Sequence, residues 1–226
     1  MAERRVRGRW LGVVRGSLEV GAPYLYSGLL GPVMPRLFAH RYRRPDPWNY
    51  AGSPYEHRKY ELKLELLRKA SAGGLYSRVL EVGCGEGEFT ASLASEGLAE
   101  EIVGFDVVPA ALERAGERMA DLPQVSLVQG NAAQELPQGP FDLVLASEII
   151  YYLGPLRRVA AFAGKVLEVL APGGCVLLLS AWPAARILHR PFSHCPELVL
   201  EAEHIERDTH RPYLIQIFRM PKARWR

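Results

Sequence analysis

Residues 78–89 read RVLEVGCGEGEF and decide the fold of this 226-residue chain. A short apolar strand runs directly into Gly83, Gly85 and Gly87, and a helical pattern follows them. Glycine has no Cβ, so the backbone can turn sharply at these positions and approach a ligand closely. A strand, a glycine-rich turn and a helix in this order form the nucleotide-binding loop of doubly wound folds. We therefore predict such a loop here.

Four further strand-like segments follow the loop, and helical patterns separate them. The strands are predicted at residues 102–106, 125–132, 141–148 and 175–180, and the helices at 90–99, 110–120 and 156–170. Alternating strands and helices indicate a parallel sheet with right-handed crossovers. Two alternating segments near the end of the chain, 198–207 and 213–220, predict an antiparallel hairpin.

Polar residues follow three of the predicted strands. Asp106 ends the second strand, 23 residues after Gly83, where nucleotide-binding folds place an acid that accepts hydrogen bonds from ribose hydroxyls. Asn131 follows the third strand, and Ser147 and Glu148 end the fourth. Ligands bind outside the carboxyl ends of such strands, so these residues are predicted to meet there. A helix N-cap role for Asp106 and a plain turn role for Asn131 are the alternatives.

The run EVGCGEG at residues 81–87 resembles motif I of the class I S-adenosylmethionine-dependent methyltransferases. Asp106, Asn131 and the 141–148 strand stand where that family has its next three motifs, and residues 172–174 (PGG) match the turn before its fifth strand. A dehydrogenase or an inert Rossmann-like domain is the alternative. The dehydrogenase fingerprint is usually G-x-G-x-x-G, however, whereas this chain has G-x-G-x-G.

Three further segments are similar to the NodS branch of the family, whose members N-methylate an amino sugar of a chitin-oligosaccharide signal. They are DPW at residues 46–48, SPYEHRKY at 53–60 and SEIIYYL at 147–153. Adenine or glutamine amino-methyltransferases typically carry Asn-Pro-Pro-Tyr at the fourth strand end. This chain has ASEI at residues 146–149 instead, which argues against them.

The resemblance implies an α/β fold class: a doubly wound, Rossmann-like sheet of seven strands, mostly parallel, with a C-terminal antiparallel hairpin and an N-terminal helical extension. It also implies S-adenosyl-L-methionine as cofactor and S-adenosyl-L-homocysteine as product. The cofactor-binding residues that it indicates are Glu81, Gly83, Cys84, Gly85, Gly87, Asp106, Val107, Asn131, Ala132 and Ser147. Arg58 is a candidate partner for the methionine carboxylate, and a surface ion pair with Glu61 or Glu65 is its alternative.

The catalytic candidates are Glu148, Tyr151 and His194. Methyl transfer is an in-line displacement, so the enzyme mainly has to position the nucleophile and free its lone pair. Glu148 is predicted to orient an ammonium group and to receive or relay its proton, and capping of the following helix is the alternative. His194 is a possible base, although a lone surface histidine is the commoner outcome.

The leading functional hypothesis is a small-molecule methyltransferase that N-methylates an amino sugar or a related amine. O-methylation of a sugar, polyketide or lipid-like hydroxyl is the first alternative. A non-catalytic protein that binds the cofactor and docks on a membrane or a partner is the second.

The charge of the chain is uneven and suggests a basic extension at residues 1–45 before a methyltransferase domain at 46–226. Nine arginines against Glu3 and Glu19 give the extension a net charge of +7, which leaves −4 for the rest of the +3 chain. A lid, a solvated tail and weak contact with an anionic membrane surface are the interpretations of this segment. Nucleic acid is not an expected partner, because no binding module is visible and aromatic residues do not alternate with the arginines.

The three cysteines show no paired metal spacing, and the histidines show none either, so no metal site is predicted. An odd number of cysteines without a disulfide framework favours a reducing, cytoplasmic location. No apolar run reaches the ~18 residues that a membrane span needs. The sequence leaves the oligomeric state open.

Overall fold

The computed structural model describes residues 34–222 of the chain. The helices are α1 (Met34–Arg41), α2 (Pro54–Ala70), α3 (Glu88–Ser95), α4 (Pro109–Arg118), α5 (Leu156–Val169), α6 (Ala185–Leu188) and α7 (Arg190–Ser193), with a 3₁₀ helix at Ile150–Leu153. The strands are β1 (Tyr76–Val82), β2 (Ala99–Asp106), β3 (Val125–Gln129), β4 (Phe141–Ser147), β5 (Leu170–Ala181), β6 (Val199–Glu206) and β7 (Tyr213–Arg219).

The strands form one seven-stranded sheet in the order β3-β2-β1-β4-β5-β7-β6. Strands β1 to β5 pair in parallel, and β7 lies antiparallel between β5 and β6. This arrangement confirms the predicted fold class. The chain reverses its direction of travel across the sheet between β1 and β4, so a crevice opens at their carboxyl ends, where ligands of such folds bind.

Helices cover both faces of the sheet, and strand residues alternate between two hydrophobic clusters. Leu80 and Val82 of β1 belong to the cluster that includes α5, whereas Val79 belongs to the one that includes α2 and α3. Parallel strands buried on both faces are apolar without interruption rather than alternating. The continuous apolar run at residues 175–179 therefore follows from the two-sided burial of β5.

The N-terminus of α2 has the predicted capping residues. Ser53 is the N-cap, its hydroxyl accepts a hydrogen bond from the Glu56 backbone N–H at 3.4 Å, and Pro54 occupies the first turn. The buried face of this helix includes Glu56, Lys59 and Lys63 beside its leucines. Charged side chains are rarely buried unless they are paired, so α2 delivers ionised groups into the interior on the side of the crevice.

Several element boundaries differ from those predicted, most of all those of α3 and β5. Helix α3 begins at Glu88 and ends at Ser95. Strand β5 begins at Leu170, because the segment at 172–174 is an irregularity inside the strand rather than a turn before it. Leu170 already pairs with Phe141, and Gly173 takes up the distortion with a φ of 85°.

The predicted basic extension lies partly outside the described residues, which include only its positions 34–45. These form α1 and the loop that follows it. In the part of the chain that the structure describes, no helix has both the length and the apolar character needed to cross a membrane.

Candidate functional site

The glycine loop lies between β1 and α3, and its backbone requires glycine. Gly83, Gly85 and Gly87 have φ angles of 75°, 57° and 76°, a region that side chains with a Cβ rarely adopt. A Cβ on Gly83 would lie 2.3 Å from the Cγ2 atom of Ile149, and one on Gly85 would lie 2.8 Å from the Tyr42 hydroxyl. The spacing of glycines in the sequence therefore reflects both backbone conformation and close approach.

Asp106 ties this loop to the beginning of α4. One carboxylate oxygen accepts a hydrogen bond from the Gly85 N–H and the other from the Val108 N–H, both at 2.9 Å. The N-cap residue of α4 is Val108, so Asp106 stands two positions before the cap. Burial raises the pKa of Asp106, and the two N–H donors act in the opposite direction. A carboxylate has about four acceptor positions, which leaves capacity for ligand hydroxyls.

A cavity opens beside the loop at the carboxyl ends of the strands, and we call it the apolar cavity. From the sheet side it is lined by Val82, Gly83, Cys84, Gly85, Phe105, Asp106, Val107, Asn131, Ala132, Ser147 and Glu148. Aromatic residues on the opposite side include Phe38, Trp48 and Tyr152. Eight of the predicted cofactor residues thus meet in one place. Asn131 lines the cavity and also accepts a hydrogen bond from the Ala133 N–H at 3.0 Å, as its turn interpretation requires.

The segment that contains α1 lies over the apolar cavity, and Glu86 of the glycine loop holds it there. The Glu86 carboxylate accepts hydrogen bonds from the Asp46 N–H at 3.0 and 3.1 Å and from Arg114 Nε at 2.7 Å. Arg114 also donates to the carbonyl of Tyr42 at 2.8 Å. These contacts place the described part of the extension above the cavity, and its role as a lid stays a prediction.

A second cavity adjoins the first, and we call it the charged cavity. Its walls include Glu56, Lys59, Tyr60, Lys63, Glu81, Glu86, Glu88, Phe89 and Leu179. It shares Tyr50, Gly83, Cys84, Ser147 and Glu148 with the apolar cavity. The shared residues make the end of β4 the boundary between the two spaces.

Lys59 joins two carboxylates in the charged cavity. Its ammonium nitrogen lies 2.7 Å from Oε2 of Glu56 and 3.2 Å from Oε1 of Glu148, and the side chain is 4% exposed. It also lies 4.8 Å from the ring centroid of Tyr55. A buried cation with two charged partners and an aromatic face is well compensated, whereas removal of one partner would leave an unpaired charge in the interior.

Glu148 adopts a strained backbone at the end of β4. Its φ is 56°, and its N–H donates to the carbonyl of Leu179 at 2.8 Å. The N-cap of the following 3₁₀ helix is Ile149, without a side-chain cap bond, so Glu148 does not cap that helix. A left-handed non-glycine residue costs about 1–3 kcal/mol and is typical of functional sites. In this conformation Glu148 lines both cavities.

Tyr151 fixes the second oxygen of the Glu148 carboxylate. The Tyr151 hydroxyl donates to Oε2 of Glu148 at 2.8 Å. Burial, followed by the nearby Glu148 charge, raises the pKa of Tyr151 well above its ordinary value, so the hydroxyl keeps its proton and stays a donor. The structure therefore brings two of the three catalytic candidates into contact.

Lys63 is a second buried cation, and it lies beside Ser147. Its ammonium nitrogen is 3.4 Å from the Ser147 hydroxyl and 3.3 Å from the ring centroid of Phe89. Burial lowers the pKa of Lys63 to about 7, although the Glu81 carboxylate acts in the opposite direction. Glu81 itself accepts a hydrogen bond from the Thr90 hydroxyl at 2.5 Å. Lys63 thus holds its proton less firmly than an exposed lysine does.

The two lysines were missed by the sequence analysis, although a signal for them exists. Glu56, Lys59 and Lys63 recur at helical spacing and share the face of α2 that buries Leu67. Charged residues on the same helix face as a buried leucine predict a polar cluster in the interior rather than a solvated surface.

The predicted site placements of Arg58, Gly87 and His194 are corrected, because none of the three lines either cavity. The Arg58 side chain is 56% exposed and pairs with Glu61 at 3.1 Å, as its alternative interpretation stated. Since successive helix residues are about 100° apart, Arg58 points to solvent while Lys59 is buried. His194 follows α7 and is exposed. Gly87 lines neither cavity and serves as the N-cap of α3.

The buried histidine of this region is His189 rather than His194. Its Nδ1 atom lies 2.8 Å from the Gln216 side-chain oxygen, and Nε2 lies 3.2 Å from the Ser180 hydroxyl. The oxygen of Gln216 can only accept, so the Nδ1 atom carries the proton and Nε2 accepts from Ser180. Burial lowers the pKa of His189 to about 4, so this ring is neutral and joins the α6–α7 segment to the sheet.

The arrangement fits S-adenosylmethionine, the cofactor that the motif resemblance implies. Side chains at Gly83 and Gly85 would fill the cradle that the loop forms. Asp106 offers acceptor capacity for ribose hydroxyls, and Val107 and Ala132 offer apolar walls for a base. Lys63 supplies a buried cation for a carboxylate in the adjoining space.

Comparisons of the sequence with known proteins agree with this chemistry. A family model described as a methyltransferase domain matches residues 79–174. Nodulation protein S of Rhizobium tropici is 31% identical over 168 residues, which cover 71% of this chain and 68% of the relative. Nodulation protein S of Sinorhizobium fredii is 29% identical over 136 residues, covering 60% of this chain and 61% of that protein.

Solved structures extend the similarity to the whole domain. The N-methyltransferase NodS from Bradyrhizobium japonicum, in complex with S-adenosyl-L-homocysteine, superposes with a TM-score of 0.72 at 25% identity. The superposition covers 82% of this chain and 97% of NodS. A putative methyltransferase from Pseudomonas syringae gives a TM-score of 0.59 at 30% identity, covering 73% of this chain and 98% of that one. The chain therefore belongs to the class I S-adenosylmethionine-dependent methyltransferases, in the branch that contains NodS, which confirms the predicted cofactor and enzyme class.

Proposed function

We propose that this methyltransferase N-methylates an amino sugar or a related small amine, and that Glu148 binds the amino group of that acceptor. The observation that carries the proposal is the position of the Glu148 carboxylate at the boundary of the apolar and charged cavities. When bound, S-adenosylmethionine supplies an activated methyl group on a sulfonium. The remaining tasks of the chain are to bind the acceptor, orient it and remove a proton from it.

Glu148 has the capacity for an additional partner. Lys59 and Tyr151 each contact one of its oxygens, and a carboxylate offers about four acceptor positions. The hydrogen bonds to these two residues hold the carboxylate in place before an acceptor arrives. An N–H of the substrate amine therefore meets a carboxylate oxygen that is already oriented rather than mobile.

The charge of the cavity favours an amine over a hydroxyl as the acceptor. Five glutamates and two lysines line the charged cavity. Arg114, Arg118 and Arg211 pair with Glu86, Glu88 and Glu56, whereas Glu148 shares its one cationic partner, Lys59, with Glu56, so the charge of Glu148 is only partly compensated. A protonated amine gains from such surroundings, whereas a neutral hydroxyl does not.

An ammonium group has no lone pair, so it must lose a proton before it can act as a nucleophile. Glu148 is the group that receives or relays that proton in this proposal, since it is the carboxylate common to both cavities. A positioned general base contributes roughly 10²–10⁴-fold to a rate. The N-methyltransferase designation of the related NodS structure supports nitrogen as the methylated atom.

The cofactor contacts are assigned within the same proposal. Asp106 receives the ribose hydroxyls, and Asn131 and Ala132 contact the adenine base. Lys63 pairs with the methionine carboxylate, the role that the sequence analysis gave to Arg58. Lys63 is preferred because it is buried in the charged cavity, whereas Arg58 is at the surface.

The test uses acceptors that differ only in their amino groups. The enzyme and S-adenosylmethionine are incubated with glucosamine or the deacetylated chitin disaccharide, and in parallel with glucose or cellobiose. Mass spectrometry with fragmentation then locates the methyl group. We expect N-methyl products from the amines and none from the hydroxyl counterparts. Methyl groups found on oxygen, or equal methylation of both sets, would contradict the proposal and favour the O-methyltransferase alternative.

A further inference from the structure

Two arginines converge on one tryptophan at the carboxyl end of β5. Trp182 directly follows β5, and the guanidinium carbons of Arg186 and Arg207 lie 4.9 and 5.4 Å from its ring centroid. Arg186 belongs to α6, and Arg207 follows the end of β6. Each cation–π contact at an exposed site is worth about 0.5–1 kcal/mol, and the two contacts hold both guanidinium groups near the same ring.

Neither guanidinium is neutralised by a carboxylate in the structure. Within residues 34–222, no ion pair includes Arg186 or Arg207, and both side chains are exposed. In contrast, Arg114 and Arg219 pair with glutamates at 2.7 and 2.6 Å. The guanidinium forks of the two arginines therefore keep their donors available, and such forks match the geometry of phosphoryl oxygens.

The neighbouring turn lies against the same surface. The backbone N–H of Trp182 donates to the carbonyl of Pro212 at 2.8 Å, which brings the β6–β7 turn alongside the tryptophan. Arg211 of that turn faces Glu56 at 3.7 Å, so its charge already has a partner. Asp208 is the acid of the turn, and its single charge only partly offsets those of Arg186 and Arg207.

The register of the sheet places Trp182 at the same edge of the sheet as Glu148. Ser147 pairs with Leu179 of β5, and the Glu148 N–H donates to the Leu179 carbonyl. Trp182 is three residues further along the chain, which corresponds to about 10 Å at the rise of a strand. An anionic group held by the two arginines and an amine held by Glu148 can thus belong to one small molecule.

We infer that Trp182, Arg186 and Arg207 form a subsite for a phosphoryl group carried by the methyl acceptor. The inference rests on the proposed function and narrows its substrate class to phosphorylated amino sugars or similarly sized amines with a phosphate or diphosphate. The tryptophan orients the two guanidinium groups, and these bind the phosphoryl oxygens. The amino end of the same molecule then reaches Glu148.

The first test measures anion binding without any methyl transfer. Inorganic pyrophosphate is titrated calorimetrically, at low ionic strength, into the wild-type protein and the Arg186→Gln/Arg207→Gln variant. The matched control is Arg157→Gln, which removes an exposed arginine of α5. We expect the double substitution to weaken binding at least tenfold, while Arg157→Gln leaves it within twofold. Equal binding by all three proteins, or no binding by the wild type at millimolar concentration, would overturn the inference.

The second test separates a free anion from an anion carried by the acceptor. Glucosamine and glucosamine 6-phosphate are compared as methyl acceptors, and we expect a KM at least fivefold lower for the phosphate ester in the wild type only. The Arg186→Gln/Arg207→Gln variant should treat both acceptors alike. Methylation of glucosamine with no gain from the phosphate would refute the subsite and leave the proposed function intact. Pyrophosphate binding that depends on the arginines, with no amine methylated, would refute the proposed function and leave the anion site standing.

Discussion

The apolar and charged cavities lie side by side, yet they are built in opposite ways. The apolar cavity depends on backbone: left-handed glycines shape it, and Asp106 accepts hydrogen bonds from two backbone N–H groups. The charged cavity depends on side chains, since Lys59 and Lys63 of α2 meet the end of β4. The comparison teaches that the wall beside the glycine loop depends on local chain geometry, whereas the charged groups that could meet a carboxylate or an amine come from distant segments of the chain.

Substitutions in the two cavities are also expected to cost free energy for different physical reasons. A Cβ added to the glycine loop produces strain, because these glycines have positive φ angles and the side chains of Ile149 and Tyr42 lie close to the added atom. A charge removed from the buried cluster leaves its partner unpaired, which costs several kcal/mol when the site is dry. Substitutions on either side of the shared boundary therefore separate binding of the cofactor from turnover of the acceptor.

Glu148→Gln should slow turnover of the acceptor without weakening cofactor binding, and it has the largest expected effect. Glutamine keeps the size of the side chain but removes the charge that orients an ammonium and takes its proton. We expect kcat/KM for the amine to fall by roughly 10²–10⁴-fold, and the affinity for S-adenosylhomocysteine to stay within about threefold. Steady-state kinetics and isothermal titration measure the two quantities.

Glu61→Gln is the matched control for this experiment, since Glu61 is an exposed glutamate of α2. It should change neither turnover nor affinity. If Glu148→Gln weakened S-adenosylhomocysteine binding as strongly as it slowed turnover, Glu148 would belong to the cofactor site and the division between the cavities would fail.

Gly85→Ala should weaken cofactor binding through the apolar cavity alone. Gly85 has a φ of 57°, and a Cβ there would lie 2.8 Å from the Tyr42 hydroxyl. Strain of about 2 kcal/mol corresponds to a loss of roughly 30-fold in S-adenosylhomocysteine affinity. Gly164→Ala in α5, where a Cβ meets nothing within 4 Å, is the control and should bind normally. Equal affinities of the two variants would show that the loop does not contact the cofactor.

A substitution of Lys63 tests whether the cofactor extends from the apolar cavity into the charged cavity. Its pKa of about 7 means that, as the pH rises above 7, the lysine must take up a proton before it can pair with a carboxylate. S-adenosylhomocysteine affinity should therefore fall between pH 7 and 8.5, by up to about tenfold per pH unit. Lys63→Met should bind more weakly and should lack this pH dependence. A slope that persists in Lys63→Met would assign the titration to another group.

His189 lies outside both cavities, and its replacement should affect stability alone. Its pKa of about 4 lies below the ordinary value of 6.5, so the unfolded chain binds more protons between these pH values. The free energy of unfolding should therefore decrease as the pH falls from 6.5 to 4, by up to ~3 kcal/mol from this group. Urea unfolding at pH 4.5 and 7 should show a smaller pH dependence for His189→Gln than for His194→Gln, which alters an exposed ring. Identical pH dependence in the two variants would remove His189 as the cause.

Much of the fold could be predicted because its signals are local. The strand before Gly83, the acid at Asp106 and the Ser53 cap of α2 each depend on residues close together in the chain. The beginning of β5 could not be predicted, because Leu170 becomes part of the strand only through its pairing with Phe141. Prediction thus failed where pairing between distant segments, rather than local pattern, set a boundary.

The candidate site shows the same limit at the level of side chains. Arg58 and Lys59 are neighbours with similar chemistry, and the predicted site residue, Arg58, is the one that faces solvent. A rotation of about 100° along the helix separates them, and only the packing of α2 against the sheet decides which of the two is buried.

The sequence by itself determined the family, the succession of strands and helices along the chain and the glycine loop, because hydrophobic period and glycine spacing act over a few residues. The tertiary structure alone decided that Lys59 meets Glu148, 89 residues further along the chain. It also decided that Arg186 and Arg207 meet at Trp182. The physical reason is that ionised and aromatic side chains interact through space, over distances that depend on how whole elements pack.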